Sequence, residues 1–216
     1  MREFITNEWF TVFTLLGLLS VVVAKTLNSL RFSDFIYVIG NSKYLKIYSR
    51  DQNFIDTFDG FLFFNFTLSL SVFIFYAYST FVSPLQFDLI TFLKMSFAIA
   101  TILIIKVLVE RLIASLFEID ELIDSYLFQK TTFKNYSGLV LLIANLFLIY
   151  TNNFTTIILS VTIGLVGLIN LIGFYLTFKT HQNSINLNLF YFLLYLCALE
   201  IGPYVLLYKV FRDYNV

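Results

Sequence analysis

A carboxylate and an ammonium set deep in apolar sequence are the first residues of this chain that invite a chemical reading. Glu200 stands in "LCALEIGPYV", Leu196 to Val205, three residues before Pro203; Lys94 stands in the apolar run that follows Phe87. An isolated charge in such surroundings costs several kcal/mol, so the two residues predict a buried pair. With Phe87 and Tyr208 at the same membrane face, the helical rise places Lys94 about 10 Å deep and Glu200 about 12 Å deep. Pro203 cannot donate to the carbonyl of Leu199, which predicts a bent helix with a loose acceptor beside Glu200. The chemistry open to such a site is ion pairing or proton transfer.

The other polar residues within apolar runs predict packing roles. Asn65, Asn145 and Asn170 are expected to hydrogen-bond between helices. Lys106 lies near the end of its run with Glu110 four residues on, and reads as a snorkelling, structural cation. A catalytic set is not legible. His181 is the only histidine and lies in the loop "KTHQNS", which excludes histidine-pair zinc motifs. The chain has no G-x-S-x-G elbow, phosphate loop or dinucleotide fingerprint. Asp59 and Asp88 fall at the edges of apolar runs, unlike an intramembrane aspartyl pair. Cys197, the only cysteine, excludes an intrachain disulfide and reads as a small packing residue. No catalytic residue, cofactor or metal site is expected.

The elements that must position these residues follow from composition. Of 216 residues, 59% are hydrophobic and 13% charged, with 27 Phe and 14 Tyr; soluble domains carry roughly a quarter charged residues. So much apolar surface exceeds what a soluble interior of this size can hide. The expected fold class is an all-α, polytopic membrane helix bundle, one domain over 1–216. A net charge of zero offers nothing to nucleic acid. At about 20 apolar residues per crossing, six spans are expected: Trp9–Ala24, Phe61–Phe81, Phe87–Val109, Phe133–Tyr150, Phe154–Phe178 and Leu187–Tyr208. "MREFITNEW" has two acids to one base, so the first run reads as a retained helix rather than a signal peptide.

Basic residues set the orientation. Lys25, Arg31, Lys43, Lys46, Arg50, Arg111, Lys130, Lys134 and Lys179 share one side, against Arg2, Lys209 and Arg212 on the other. That distribution places both termini on the periplasmic side. On the cytoplasmic side, Arg31–Asp51 interleaves aromatics with bases and suits a segment in the headgroup layer, Arg31, Lys43, Lys46 and Arg50 drawn to anionic lipid. A protein-covered surface is the alternative. Glu110–Phe128 continues the third span with Leu112, Ile113, Leu116, Ile119, Ile123 and Leu127 on one face, predicting an amphipathic helix that leaves the membrane. It either docks a partner or folds against its own loops. Ser160, Gly164, Gly167 and Gly173 form a small-residue stripe that predicts close helix approach.

"FYFLLYLCALEIGPYVLLYKVF", Phe190 to Phe211, resembles the C-terminal signature of domain-of-unknown-function family 4271, small multi-spanning membrane proteins of the Bacteroidota. The Trp9 span and "FKNYSGLVLL", Phe133 to Leu142, fit the same pattern. The resemblance implies a bacterial inner-membrane location and supplies no activity. The expectation is therefore a non-enzymatic subunit or scaffold of a cell-envelope assembly, with the lipid bilayer and an unidentified membrane protein as partners. A small transporter or proton-coupled channel using Lys94 and Glu200 is the rival reading; it lacks the paired broken helices that transporters show.

Overall fold

The computed structural model describes residues 4–40, 43–49, 56–116, 120–151 and 154–180. Within them the chain forms seven helices and no strand: α1 Phe4–Leu27, α2 Ser29–Ile36, α3 Lys43–Tyr48, α4 Thr57–Phe81, α5 Leu89–Leu116, α6 Asp120–Tyr150 and α7 Thr155–Thr180. Five are long and apolar enough to cross a membrane: Glu8–Leu27, Thr57–Phe81, Leu89–Leu116, Ile123–Tyr150 and Thr155–Leu176. The all-α membrane bundle expected from composition is the fold. Five of the six expected spans have a counterpart here; the sixth, Leu187–Tyr208, lies outside the described residues.

Polar side chains mark where the helices begin. Asn28 caps α2 by accepting from the Arg31 amide at 3.1 Å, and Asp56 caps α4 by accepting from the Phe58 amide at 3.1 Å. Asp88 accepts from both the amide and the hydroxyl of Thr91, at 2.9 and 2.6 Å, and so starts α5. Inside the spans, hydroxyls donate back to carbonyls one turn earlier: Thr14 to Phe10, Ser71 to Thr67 and Thr162 to Ile158, each at 2.7 Å. Such bonds satisfy the hydroxyl where no water is at hand.

The two ends of α5 meet its neighbours as reversals of the chain would have them, Phe92 beside Phe75 of α4 and Arg111 bonded to Asp124 of α6, so α4 and α6 run in the same direction. This pair forms the centre, with α1 packed on α4 and α7 on α6. Two apolar clusters fix the ends. At one end Phe10 of α1 meets Phe75, Phe87 and Phe92, with ring centroids 4.9, 4.9 and 5.8 Å away. At the other, α2 and α3 cap the bundle: Phe35, Val38 and Tyr44 are buried against Ala24, Phe58 and Phe128. Among the described spans α5 is the outermost, with 11% of its apolar stretch buried against 61% for α6. It touches the bundle along one stripe, Phe92, Ser96, Glu110 and Ala114, and presents Ile90, Phe97, Ile105, Leu112 and Leu116 outward.

Two sequence expectations are corrected. Glu110–Phe128 is not one continuous helix: α5 ends at Leu116 and α6 begins at Asp120. Arg111 Nε donates to Asp124 Oδ1 at 2.7 Å across a separation of 13 residues, which a continuous helix would hold about 20 Å apart. Of the apolar face, Ile123 and Leu127 are buried whereas Leu112 and Leu116 are exposed, and the fourth span starts well before Phe133. The stripe in α7 also divides. A Cβ at Gly164 or Gly167 would meet nothing within 4 Å, whereas one at Gly173 would lie 2.5 Å from the Phe133 ring. Of the glycines in this stripe, Gly173 alone is a close-approach position.

Candidate functional site

Three polar clusters stand out, two of them at the end capped by α2 and α3. The first centres on Arg31. From α2 its guanidinium reaches the first turn of α4, pairing with Asp56 through Nη1 and with Asp59 through Nη2 at 2.7 Å. Rings enclose it: the guanidinium carbon lies 4.6 Å from the centre of Phe58, 5.1 Å from Tyr48 and 6.0 Å from Tyr44. Arg31 Nε also donates to the Tyr44 hydroxyl at 3.4 Å. Burial by itself works against the cation, but Tyr44, Asp59 and Asp56 more than offset it and hold Arg31 above its ordinary value. Burial, then the charge of Asp59, pushes the Tyr44 phenol well up, so it stays protonated.

Of the two surroundings expected for this segment, headgroup layer or protein-covered surface, the Arg31 side chain has the second here: it is 8% exposed, enclosed by two carboxylates and three rings of its own chain. The other expected surface bases divide. Lys43 is exposed and pairs with Asp34 at 3.3 Å. Lys46 belongs to α3, and Arg50 lies outside the described residues.

The second cluster joins α5 to α6. Glu110 is fully buried, with one carboxylate oxygen 2.7 Å from Lys130 Nζ and 3.9 Å from Lys106 Nζ. The i,i+4 relation of Lys106 and Glu110 is there, but the shorter contact comes from Lys130, across the hairpin.

The third cluster lies where α1, α4 and α6 meet. Asn65 on α4 accepts from Ser69 Oγ at 3.3 Å, and Asn145 on α6 donates to the Ser69 carbonyl at 2.8 Å. Glycines make room for Asn65. A Cβ at Gly17 would come 2.9 Å from its Oδ1, and a Cβ at Gly138 would come 3.2 Å from its Nδ2. Asn170 on α7 donates to Ser137 Oγ at 3.1 Å and to its own helix at the Val166 carbonyl.

Ser69 thus brings Asn65 and Asn145 together, while Asn170 stands apart on the α6–α7 contact. Lys94 is exposed on α5, and its expected partners Glu200 and Pro203 lie outside the described residues, as do His181 and Cys197. Sequence reasoning did not link Asp56 and Asp59 to Arg31, or Lys130 to Glu110. Asp56 and Asp59 had a local signal, a cap and its i+3 neighbour at the start of an apolar run. Nothing local links them to Arg31, 25 and 28 residues earlier.

Among the described residues no group of three or more His, Cys, Asp or Glu side chains could hold a metal ion. What the clusters can do is tie elements together: α2 and α3 to α4, the α5–α6 hairpin to itself, and α1, α4 and α6 to one another. No curated protein and no solved structure matches the chain. A family model does, over residues 10–211, and this places the chain in the family described as Domain of unknown function (DUF4271).

Proposed function

We propose that this integral membrane protein is a non-enzymatic subunit or scaffold of a cell-envelope assembly, in a bacterial inner membrane with both termini periplasmic. The observation that carries the reading is the use made of charge. Arg31, Asp56 and Asp59 lock the α2–α3 cap onto α4, and Glu110 and Lys130 lock the α5–α6 hairpin. Charges spent on fixing connecting segments suit a rigid body that presents surfaces. The surface offered is the outer face of α5, where Phe97, Ile105 and Leu112 are exposed, enough for lipid or for a partner helix.

A second reading, a small transporter or proton-coupled channel using Lys94 and Glu200, draws its support from the buried amides of Asn65 and Asn145. Purification in gentle detergent followed by mass spectrometry of co-purifying proteins separates the two. A stoichiometric partner is expected; a lone chain that moves ions or solutes in liposomes would overturn the scaffold reading.

A further inference from the structure

Most hydroxyls inside this bundle bond to their own helix, yet one side of α6 breaks that habit. Thr132 Oγ1 makes no hydrogen bond, and neither Nδ2 nor Oδ1 of Asn135 makes one. Asn145 Oδ1 is likewise unpaired, as is Nδ2 of Asn65 from α4. All four residues are at least 99% buried. Thr132, Asn135 and Gly138 follow at intervals of three, with Asn145 seven residues beyond, so they share a broad face of α6. Asn65 meets this face at Gly138. The Asn65 amide lies between Gly17 and Gly138, where a Cβ would crowd its Oδ1 and Nδ2, and its Oδ1 is already engaged by Ser69. Turning the Asn135 amide over would exchange one unpaired atom for another.

Buried polar atoms in proteins are almost always hydrogen-bonded, to protein or to ordered water. The atoms here comprise donors, Nδ2 of Asn65 and of Asn135, and acceptors, Oδ1 of Asn135 and of Asn145; Thr132 Oγ1 can act as either. An anion would want donors alone and a cation acceptors alone. A molecule that both donates and accepts matches the mixture.

We infer that this side of α6, down to its seam with α4 at Asn65 and Asn145, is a hydration site, a set of bound waters from Thr132 past Asn65 to Asn145. Thr132 to Asn145 spans about 20 Å of helix, well over half of the roughly 30 Å hydrocarbon thickness. The face from Thr132 to Asn145 is therefore wet and built of neutral groups, a different device from a charged transport site.

The test uses the full-length protein in lipid bilayers, with solid-state NMR transfer of magnetisation from water to 15N-labelled side-chain amides. Asn65→Leu and Asn135→Leu assign the two signals by their loss; if either variant fails to fold, sequential assignment of the unaltered protein serves instead. Transfer to the Asn65 and Asn135 amides should be several-fold faster than to the backbone amides of Leu141 and Val72, which are buried in apolar clusters. Transfer to both at the slow rate of those controls would overturn the site. Fast transfer to Asn135 alone would overturn it too, since the water would then stop short of the seam.

Discussion

Arg31→Gln should be among the most damaging single changes at the capped end of the bundle. It leaves Asp56 and Asp59 facing one another without the guanidinium that both contact. Removing one partner of a buried pair costs about 3–5 kcal/mol, most of it the penalty of the charge left behind. The carboxylates retain 30% and 19% exposure, which lets water recover part of that and brings the expected loss to roughly 2–4 kcal/mol. The ring contacts add about 0.5–1 kcal/mol. Asp59→Asn removes one of two anions and leaves Arg31 with Asp56, so its cost should be nearer 1 kcal/mol. The triple change Arg31→Gln, Asp56→Asn, Asp59→Asn leaves no charge uncompensated and keeps an asparagine at the α4 cap, so it should recover much of the loss. Unfolding in mixed micelles gives the ranking, and hydrogen exchange at the amides of Phe32 and Phe35 reports whether α2 has come away. If Arg31→Gln proves no worse than Asp59→Asn, or the triple variant is the least stable, the lock is not electrostatic and the reasoning fails.

In α7, Gly173→Ala should destabilise by about 1–3 kcal/mol, because the new Cβ meets the Phe133 ring, whereas Gly164→Ala and Gly167→Ala should be neutral or stabilise by up to about 1 kcal/mol; thermal melts of the three variants compare them directly. Lys130→Met should cost about 3–5 kcal/mol by leaving the fully buried Glu110 carboxylate to the more distant Lys106 ammonium, and more than Lys106→Met, whose ammonium sits at 3.9 Å. The Asp88 carboxylate, held below the usual range by hydrogen bonds from the Thr91 side chain and backbone, should titrate low by NMR. Its folded value being depressed, its contribution to stability is present above the ordinary carboxylate range and lost as pH falls through the folded value; Asp88→Asn should remove that part of the acid dependence. Cysteine labelling at Asn7 and Asn215 in a Cys197→Ser background tests the orientation. Both positions should react with an impermeant reagent in spheroplasts, and protection of both would reverse the topology.

The spans were legible because an apolar run near 20 residues has few other uses, and each of the five described spans overlaps one of those runs, though α5 and α6 extend well beyond theirs. The polar clusters were less legible, for a physical reason. Local spacing exposes contacts within one helix, as with Lys106 and Glu110, but Arg31 reaches Asp56 and Asp59, and Lys130 reaches Glu110, only after the chain has turned back on itself. The Glu110–Phe128 segment misled for a related reason: helical periodicity persists on both sides of a tight reversal, so amphipathic spacing alone does not show where one helix stops. Asn65 and Asn145 could be placed inside the membrane from sequence, while the glycines that make room for Asn65 declared themselves only in the packing.

The central claim, that the chain is a rigid helical subunit presenting the outer face of α5, is tested most directly by site-specific photo-crosslinking in intact cells. A photoreactive side chain at Phe97 or Leu112, both exposed on that face, should yield an adduct with one membrane protein of discrete mass. The same group at Val72, buried between helices, should yield no adduct with another protein. Adducts with lipid alone at both α5 positions would contradict the account.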